Sequence, residues 1–293
     1  MQLKQALISA GARLTADRVP SPRMNAELLL MFTLSCERAY LYAHPERELT
    51  GDEQTRYDRV LANRARGVPA QYITGHQEFW GMDLFVTPAV LIPRPETEHV
   101  IEAVVELARI EGTGGRGRPP QTTRLRIADI GTGSGCIALA LAKELPSAEI
   151  HATDTSAAAL DVARANATRH QLESRIQFRE GDLLTGLESG FEANSFDFIV
   201  SNPPYVGESE EDEVQLEVRK FEPRDAVFAG PTGVEVIARL IPQAYAALRP
   251  GGWLVMEISG TIADEVRRLL GDWSDVGIRP DLQSIPRVIQ ARK

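Results

Sequence analysis

The segment Leu125–Gly135 reads LRIADIGTGSG, in which a mainly apolar run changes abruptly into a glycine-rich one. The apolar run predicts a short buried strand over Leu125–Ile130. The glycines at 131, 133 and 135 permit a tight turn and let a ligand approach backbone N–H groups. The G-x-G-x-G spacing differs from the G-x-G-x-x-G of dinucleotide binders, and no lysine follows as in a phosphate-binding loop.

Strands and helices alternate after this turn. Alternation of this kind is typical of an α/β fold with a mostly parallel sheet covered by helices on both faces. Ligands of such sheets bind beyond the carboxyl ends of the strands. We predict further strands at Glu149–Thr153, Arg175–Arg179, Phe196–Ser201 and Gly252–Ile258, and helices at Gly135–Leu145, Ser156–His170, Val234–Leu248 and Ile262–Leu270.

Acidic residues follow the second and third of these strands, as Asp154 and as the pair Asp182-Leu183. A carboxylate at the first position can accept hydrogen bonds from ribose hydroxyls, and one at the second can accept from an adenine amino group. The alternatives are that Asp154 caps the helix near Ser156 and that Asp182 is a turn residue. Acceptors at neighbouring strand ends fit an adenosine ligand without phosphate, which favours S-adenosylmethionine over a nucleoside triphosphate.

The most specific motif is Ser201-Asn202-Pro203-Pro204-Tyr205, at the end of the fourth strand. Its prolines fix the backbone and supply carbonyls without N–H groups. The Asn202 side-chain oxygen and the Pro203 carbonyl can accept both hydrogens of an NH₂ group, and Tyr205 offers a flat face for a planar group. The motif predicts a clamp for a planar NH₂ group, and the alternative is a rigid turn.

A clamp of this kind would make an unreactive amide or amine nitrogen able to accept a methyl group. The nitrogen of an amide or aromatic amine is a poor nucleophile, since its lone pair is delocalised on the scale of the ~18–20 kcal/mol peptide rotation barrier. Hydrogen bonds from both N–H groups favour a pyramidal nitrogen whose lone pair points at a methyl donor. Holding that geometry can contribute up to ~7–11 kcal/mol. A strong general base is not required, because the proton becomes acidic after methyl transfer.

Charge and hydrophobic patterning predict two domains. Residues 1–85 carry ten basic and ten acidic side chains, so the net charge of −9 of the 293-residue chain lies in residues 86–293. Helical spacing near the N-terminus and over Asp52–Arg66 predicts a helical domain, and the alternation in Glu78–Val86 predicts a hairpin linker. We place the helical domain with its linker at 1–85 and the catalytic domain at 86–293. The segment Gly112–Pro120 (GTGGRGRPP) predicts a solvated loop.

The composition also limits the cellular location and the classes of binding partner that we expect. An acidic chain argues against binding to nucleic acid by phosphate neutralisation. The two cysteines, Cys36 and Cys136, and five scattered histidines provide neither a disulfide framework nor a metal site, which predicts a reduced, cytoplasmic protein. The chain has no signal-peptide pattern and no uncharged apolar stretch of the ~18 residues that a membrane span needs.

At these motifs the chain resembles the methyltransferases of adenine N6 and glutamine N5, which share Asn/Asp-Pro-Pro-aromatic. More narrowly, it is similar to the release factor glutamine methyltransferases, the PrmC/HemK family, from about Leu3 to Val288. The segments that carry this similarity, besides DIGTGSG and SNPPY, are Pro20–Arg23, Glu27–Leu29, Gln71–Gly75, Leu91–Glu98, Glu222–Arg224 and Gly230 with Gly233.

The resemblance implies a helical domain joined by a hairpin to a class I S-adenosylmethionine-dependent methyltransferase domain, Rossmann-like with seven strands. It implies an enzyme that methylates N5 of the glutamine in the Gly-Gly-Gln motif of peptide chain release factors and whose helical domain holds the release factor. For the oligomeric state, a monomer is the default expectation. By motif, Asn202, Pro203, Pro204 and Tyr205 bind the glutamine, and Asn202, Pro203 and Tyr205 are catalytic. The residues implied to bind the cofactor are Gly131, Thr132, Gly133, Ser134, Gly135, Asp154, Asp182, Leu183, Asn202, Arg94, Pro95 and Thr97.

Three other functions compete with this interpretation. An adenine N6-methyltransferase acting on DNA or RNA uses the same chemistry, but the acidic charge and the absence of an evident basic recognition domain argue against it. The intact clamp disfavours a catalytically idle binding module, and the glycine spacing disfavours an NAD-linked enzyme. The chain departs from the family at Ser259 and Ile262, where the family often has glycine and glutamine.

Overall fold

The computed structural model describes residues 1–112, 124–187 and 193–293. It divides into two compact units, of which the first is 1–76 with 215–221 and the second is 77–214 with 222–293. The boundary of functional domains at residue 85 stays a prediction. The predicted loop lies outside the described residues from residue 113 onwards.

The first unit is helical, as the N-terminal spacing predicted. Its core packs the apolar faces of successive helices, with Leu14, Leu29, Leu30, Tyr57 and Leu61 all buried. Its helices are α1 (Leu3–Ala16), α2 (Pro22–Leu34), α3 (Arg38–Ala43), α4 (Gly51–Ala65) and α5 (Ala70–Thr74), with α9 (Leu216–Phe221) from later in the chain.

Polar side chains are also buried in this unit. Arg64 is 4% exposed; its Nε donates to Asn25 Oδ1 at 2.7 Å, and its Nη2 forms an ion pair with Glu217 at 2.8 Å. Ser21 precedes α2 and Pro22 is the first helical residue, as predicted, but the serine side chain makes no capping hydrogen bond. The reason is its left-handed φ of 47°, whereas a capping residue has an extended backbone.

A hairpin forms where the alternating pattern predicted it, and all of its residues after His76 belong to the second unit. Its strands are β1 (His76–Phe79) and β2 (Met82–Phe85). Trp80 and Gly81 have φ of 53° and 66°, the two left-handed residues that a tight hairpin turn requires. The Asn166 side chain accepts from the Phe85 N–H at 2.6 Å and donates to the Phe85 carbonyl at 3.0 Å, so it anchors the end of β2.

The second unit contains the predicted seven-stranded sheet. The strand order is β10-β11-β9-β6-β3-β4-β5, in which β11 is antiparallel to both of its neighbours, β10 and β9, and all other neighbouring strands are parallel. The strands are β3 (Arg126–Ile130), β4 (Glu149–Asp154), β5 (Ile176–Glu180), β6 (Phe196–Ser201), β9 (Leu248–Glu257), β10 (Ser274–Pro280) and β11 (Pro286–Arg292), with a separate pair, β7 (Val206–Gly207) and β8 (Phe228–Gly230).

Helices cover both faces of this sheet. Ile127 and Phe198 belong to one apolar core, whereas their chain neighbours Ala128 and Ile199 belong to the other. Because strand side chains alternate between faces, a sheet covered on both sides needs continuous apolar strands. The helices are α6 (Glu98–Gly112), α7 (Cys136–Glu144), α8 (Ala157–Arg169), α10 (Arg224–Val227), α11 (Glu235–Ala247) and α12 (Ala263–Leu269).

The strand order positions the site. From β3 the chain proceeds outward through β4 and β5, then returns to β6 on the other side of β3. The carboxyl ends of β3 and β6 therefore flank a crevice at which ligands of such sheets bind. Among the described helices, none has the length and apolar character needed to cross a membrane.

Candidate active site

The glycine-rich turn after β3 adopts the conformation that its sequence predicts. Gly131, Gly133 and Gly135 all have positive φ, between 55° and 83°. The N–H groups of Gly131 and Thr132 both donate to the Thr153 carbonyl at 2.9 Å, which ties the turn to β4. A Cβ at Gly135 would lie 3.2 Å from side-chain carbons of Ala163 and Leu139, so this glycine allows α7 and α8 to pack closely.

Asp154 supports the same turn from the end of β4. Its Oδ2 accepts from the Gly133 N–H and its Oδ1 from the Ser156 N–H, both at 2.9 Å. The side chain that caps α8 belongs to Ser156, whose Oγ accepts from the Ala159 N–H at 3.1 Å. Since each carboxylate oxygen can accept more than one hydrogen bond, Asp154 retains capacity for a ligand.

A cavity of about 360 Å³ lies beyond these strand ends. Its charged lining residues, among those the structure describes, are Asp154, Asp182, Asp225 and Arg239, without a lysine. The predicted residues that line it are Thr97, Gly131, Thr132, Gly133, Ser134, Asp154, Asp182, Leu183, Asn202 and Pro204. The predicted residues that are absent from the described lining are Arg94, Pro95, Gly135, Pro203 and Tyr205.

Arg239 is a lining residue that no sequence motif indicated. It projects from α11 and forms an ion pair with Asp182. Both side chains are about half exposed, 54% and 51%. Exposed pairs contribute ~0–1 kcal/mol, so Arg239 can release Asp182 to a ligand at little cost.

The SNPPY segment begins where β6 ends. Ser201 Oγ donates to the Ile130 carbonyl at 2.7 Å and joins the ends of β6 and β3. Asn202 Nδ2 donates to Thr97 Oγ1 at 3.1 Å, and Tyr205 OH donates to Glu257 Oε1 at 3.0 Å. Burial raises the pKa of Tyr205, and the nearby Glu257 carboxylate raises it further, so the phenol stays protonated.

Arg94 connects two segments of the predicted family signature. Its Nη2 pairs with Glu222 Oε1 at 2.5 Å, and Glu222 Oε2 accepts from the Ile92 N–H at 3.0 Å. The Glu222 side chain is 1% exposed, so it carries a buried charge that needs these partners. The pair therefore joins the segments Leu91–Glu98 and Glu222–Arg224, which are distant in the sequence. A direct role of Arg94 and Pro95 toward a ligand stays a prediction.

Asp129 lies under the glycine-rich turn and is fully buried. Its Oδ2 accepts from Thr132 Oγ1 at 2.6 Å and from the Ala138 N–H at 3.1 Å, while Oδ1 has no partner among the described residues. Burial raises the pKa of Asp129 to about 7. The folded protein therefore binds this proton more tightly than the unfolded chain does.

This shift gives a testable pH dependence. The Asp129 contribution to the free energy of unfolding should fall as pH rises from its ordinary pKa of 3.8 to about 7, because only the unfolded chain releases the proton easily there. The effect is on the order of 4 kcal/mol at most. Asp129→Asn should flatten the difference between urea unfolding at pH 5 and at pH 8. An unchanged difference would contradict the assigned pKa.

A parallel sheet with a glycine-rich turn, acidic strand ends and an Asn-Pro-Pro-Tyr segment at the switch point defines a class I methyltransferase. Comparison with solved structures agrees on the fold. The chain matches the N-terminal domain of human METTL16 in complex with SAH with a TM-score of 0.51 at 19% identity, covering 80% of this chain and 82% of that one. The hMettl16 catalytic domain in complex with an RNA hairpin gives a TM-score of 0.55 at 20% identity, covering 79% and 81%.

Comparisons of sequence identify the family. The family described as PrmC N-terminal domain matches residues 5–75, and the one described as methyltransferase small domain matches 119–220. The release factor glutamine methyltransferase of Koribacter versatilis is 55% identical over 100% of this chain and 99% of its own. That of Chlorobaculum tepidum is 43% identical over 92% and 90%. The chain belongs to the release factor glutamine methyltransferase family.

The cofactor of this enzyme class is S-adenosylmethionine, and the cavity fits it. Gly131 and Gly133 border open space, since a Cβ added at either would meet no atom within 4 Å. Asp154 and Asp182 offer carboxylate acceptors to hydroxyl and amino groups, and they would repel a phosphate. Among the described residues, none form a cluster of three or more side chains able to hold a metal ion.

Proposed function

We propose that this enzyme methylates N5 of the glutamine in the Gly-Gly-Gln motif of peptide chain release factors, and so acts in translation termination. Family membership supports the reaction and the substrate. The observation that carries the proposal is the position of Asn202, which lines the cavity at the end of β6 with its side-chain nitrogen bound to Thr97. That bond leaves the side-chain oxygen available as an acceptor for a substrate NH₂ group.

The glycine-rich turn, Asp154 and Asp182 hold the cofactor in this proposal. When bound, S-adenosylmethionine supplies an electrophilic methyl group on a positively charged sulfur. The glycine turn would let the ligand approach the backbone closely, and the two carboxylates would accept from its hydroxyl and amino groups. Asp182 would exchange Arg239 for an amino group of the cofactor, and this exchange would cost little because the ion pair is exposed.

The clamp prepares the glutamine nitrogen. Asn202 Oδ1 and the Pro203 carbonyl accept the two amide hydrogens, which favours a pyramidal nitrogen with a directed lone pair. Tyr205, anchored through its hydroxyl to Glu257, packs against the planar amide. The N–C bond would form as the methyl–sulfur bond breaks and its electron pair passes to sulfur. The methylated nitrogen would then carry an acidic proton that leaves to solvent, so no side chain has to act as a strong base.

The proposal is tested by offering the enzyme a labelled methyl donor with release factor, duplex DNA or RNA in separate reactions. Label should appear on release factor, and it should be lost when the Gly-Gly-Gln glutamine of the substrate is replaced by alanine. Adenine methylation of DNA or RNA is the competing activity, since the same clamp accepts an aromatic amine. Label on nucleic acid and none on release factor would overturn the proposal.

The same proposal assigns different roles to the two domains. The helical domain, placed at residues 1–85, binds the release factor, and residues 86–293 carry out the chemistry. The neutral charge of the first part and the charge of −9 in the second support a protein substrate over nucleic acid.

The two cysteines are free, which supports a reducing, cytoplasmic location. We propose a monomer, which light scattering would test.

Asp154→Ala should weaken cofactor binding. Hydrogen bonds to a charged group contribute ~1.5–3 kcal/mol, so the Kd for S-adenosylmethionine should rise by about 10–100-fold, with a smaller effect on kcat at saturation. Isothermal titration calorimetry measures the Kd. Asp161→Ala is the matched control, since that carboxylate lies on α8, the helix that follows Asp154 in the chain, with 78% of its side chain exposed. An equal Kd for the two variants would remove Asp154 from the cofactor site.

A further inference from the structure

A buried carboxylate lies behind the Asn-Pro-Pro-Tyr segment. Glu257 ends β9 and is 1% exposed. Its Oε2 accepts from Thr97 Oγ1 at 2.6 Å, and its Oε1 accepts from Tyr205 OH at 3.0 Å. Since Thr97 Oγ1 in turn accepts from Asn202 Nδ2 at 3.1 Å, one carboxylate is connected to both ends of the segment.

The direction of these hydrogen bonds is fixed by the number of protons. A threonine hydroxyl has one proton, and Thr97 gives it to the Glu257 carboxylate. Its oxygen can then only accept from Asn202, and the one donor of an asparagine side chain is its NH₂ group. The Asn202 oxygen is therefore turned away from Thr97, and it accepts no hydrogen bond from any described residue.

We propose that Thr97 and Glu257 are positioning residues that orient the Asn202 carboxamide, so that it presents an acceptor and not a donor to the substrate. This inference rests on the proposed function. A reversed carboxamide would point N–H groups at the substrate NH₂, where donor meets donor and no hydrogen bond forms. The relay of Glu257, Thr97 and Asn202 thus selects substrates with an NH₂ group and keeps their nitrogen within reach of the methyl donor.

The burial of Glu257 supports a functional role. Burial raises the pKa of Glu257, while the hydrogen bonds from Thr97 and Tyr205 lower it, Glu96 raises it and Arg287 lowers it. A carboxylate without solvent is costly to keep in a fold, and an apolar side chain would fill the same space without that cost. Unlike an apolar side chain, the carboxylate accepts hydrogen bonds from two hydroxyls, those of Thr97 and Tyr205, and so orients both. This role accounts for a carboxylate at this position.

The test compares two substitutions at one position. Thr97→Val keeps the shape and removes the hydroxyl, so kcat for release factor should fall by about 10–100-fold, as small misplacements in active sites do. Thr97→Ser restores the hydroxyl and should keep kcat within about threefold of wild type. The matched control is Thr33→Val, which removes another buried hydroxyl, one that donates to the Leu29 carbonyl within α2 and should not affect kcat.

A double-mutant cycle distinguishes positioning from general damage. If Thr97 acts through Asn202, Thr97→Val should cost little further kcat in an Asn202→Ala background. Glu257→Gln should also lower kcat, because its amide can donate to Thr97 as well as accept and no longer imposes one direction. Thermal unfolding and the Kd for S-adenosylmethionine, measured for each variant, show whether fold and cofactor site are preserved.

A readout without release factor separates this inference from the proposed function. In protein labelled with ¹⁵N-asparagine, one Asn202 side-chain proton should carry the NMR shift of a hydrogen bond, and Thr97→Val should abolish that shift. If Thr97→Val retains wild-type kcat, loses as much activity in both backgrounds, or leaves the NMR signal unchanged, the relay is wrong. Absence of methylation by wild type, with the NMR signal present, would overturn the proposed function and leave the bond geometry confirmed.

Discussion

Asn202→Ala is expected to lower kcat by about 10²–10³-fold, the loss that follows removal of one positioned hydrogen-bonding group from an active site. The Kd for S-adenosylmethionine should change far less. The physical reason is that the Asn202 oxygen engages the amide hydrogens of the glutamine, an interaction that strengthens as the nitrogen becomes pyramidal. An interaction that is stronger in the transition state than in the ground state affects kcat more than binding.

Steady-state kinetics with release factor, together with calorimetry of cofactor binding, checks this expectation. Asn194→Gly is a suitable control, since Asn194 lies in a loop with a left-handed φ of 63°, which glycine adopts without strain, and its side chain accepts from Lys293. Equal losses in kcat and in cofactor affinity for Asn202→Ala would show that the residue mainly binds cofactor. The SNPPY segment would then be part of the cofactor site, and the clamp would need another set of residues.

The sheet was largely predictable because most of its strands are buried. The prediction for Phe196–Ser201 coincides with β6, those for β3 and β4 differ by one residue at one end, and that for β5 is shifted by one residue. The predicted Gly252–Ile258 starts four residues later than β9 and ends one residue later. A strand covered on both faces must be apolar throughout, and this leaves a clear signal in the sequence. The antiparallel pair β10 and β11 was not predicted. The first lies at the sheet edge with no buried residue, and the second has the polar residues Arg287 and Gln290 beside its buried apolar ones.

Some residues of the candidate site could also be predicted from the sequence, and others could not. Residues at the ends of buried strands, such as Asp154 and Asn202, could be predicted because a parallel sheet brings those ends together. Glu222 lies in a segment that resembles the family and Glu257 in a predicted strand, but the sequence assigned neither of them a role. Glu257 and Thr97 are 160 positions apart, and Glu222 and Arg94 are 128 apart. Pairs this distant leave no periodic pattern, so their contact becomes visible only in the folded chain.

Gly233→Ala is the second substitution for which we expect a large effect. Gly233 is not part of the SNPPY segment but lies against the Tyr205 backbone, so this substitution tests whether that backbone is fixed. Gly233 has a φ of +88°, which an alanine adopts only with strain. A Cβ there would lie 2.6 Å from the Tyr205 carbonyl oxygen and 3.0 Å from the Gly207 nitrogen. Both are backbone atoms, so no side-chain rotation can relieve the clash, and the chain that follows the clamp has to move.

The strain alone costs about 1–3 kcal/mol, and the clash adds to it, so thermal unfolding should occur at a lower temperature. A shift of about 1 Å in the Tyr205 backbone should lower kcat by about 100-fold even in the protein that remains folded. Gly11→Ala is the matched control, because a Cβ there meets nothing within 4 Å and a helical alanine is favoured over glycine. That variant should keep wild-type kcat and equal or higher stability. If Gly233→Ala behaves like Gly11→Ala, the backbone around Tyr205 is not rigidly fixed, and orientation of the glutamine must come from the Asn202 side alone.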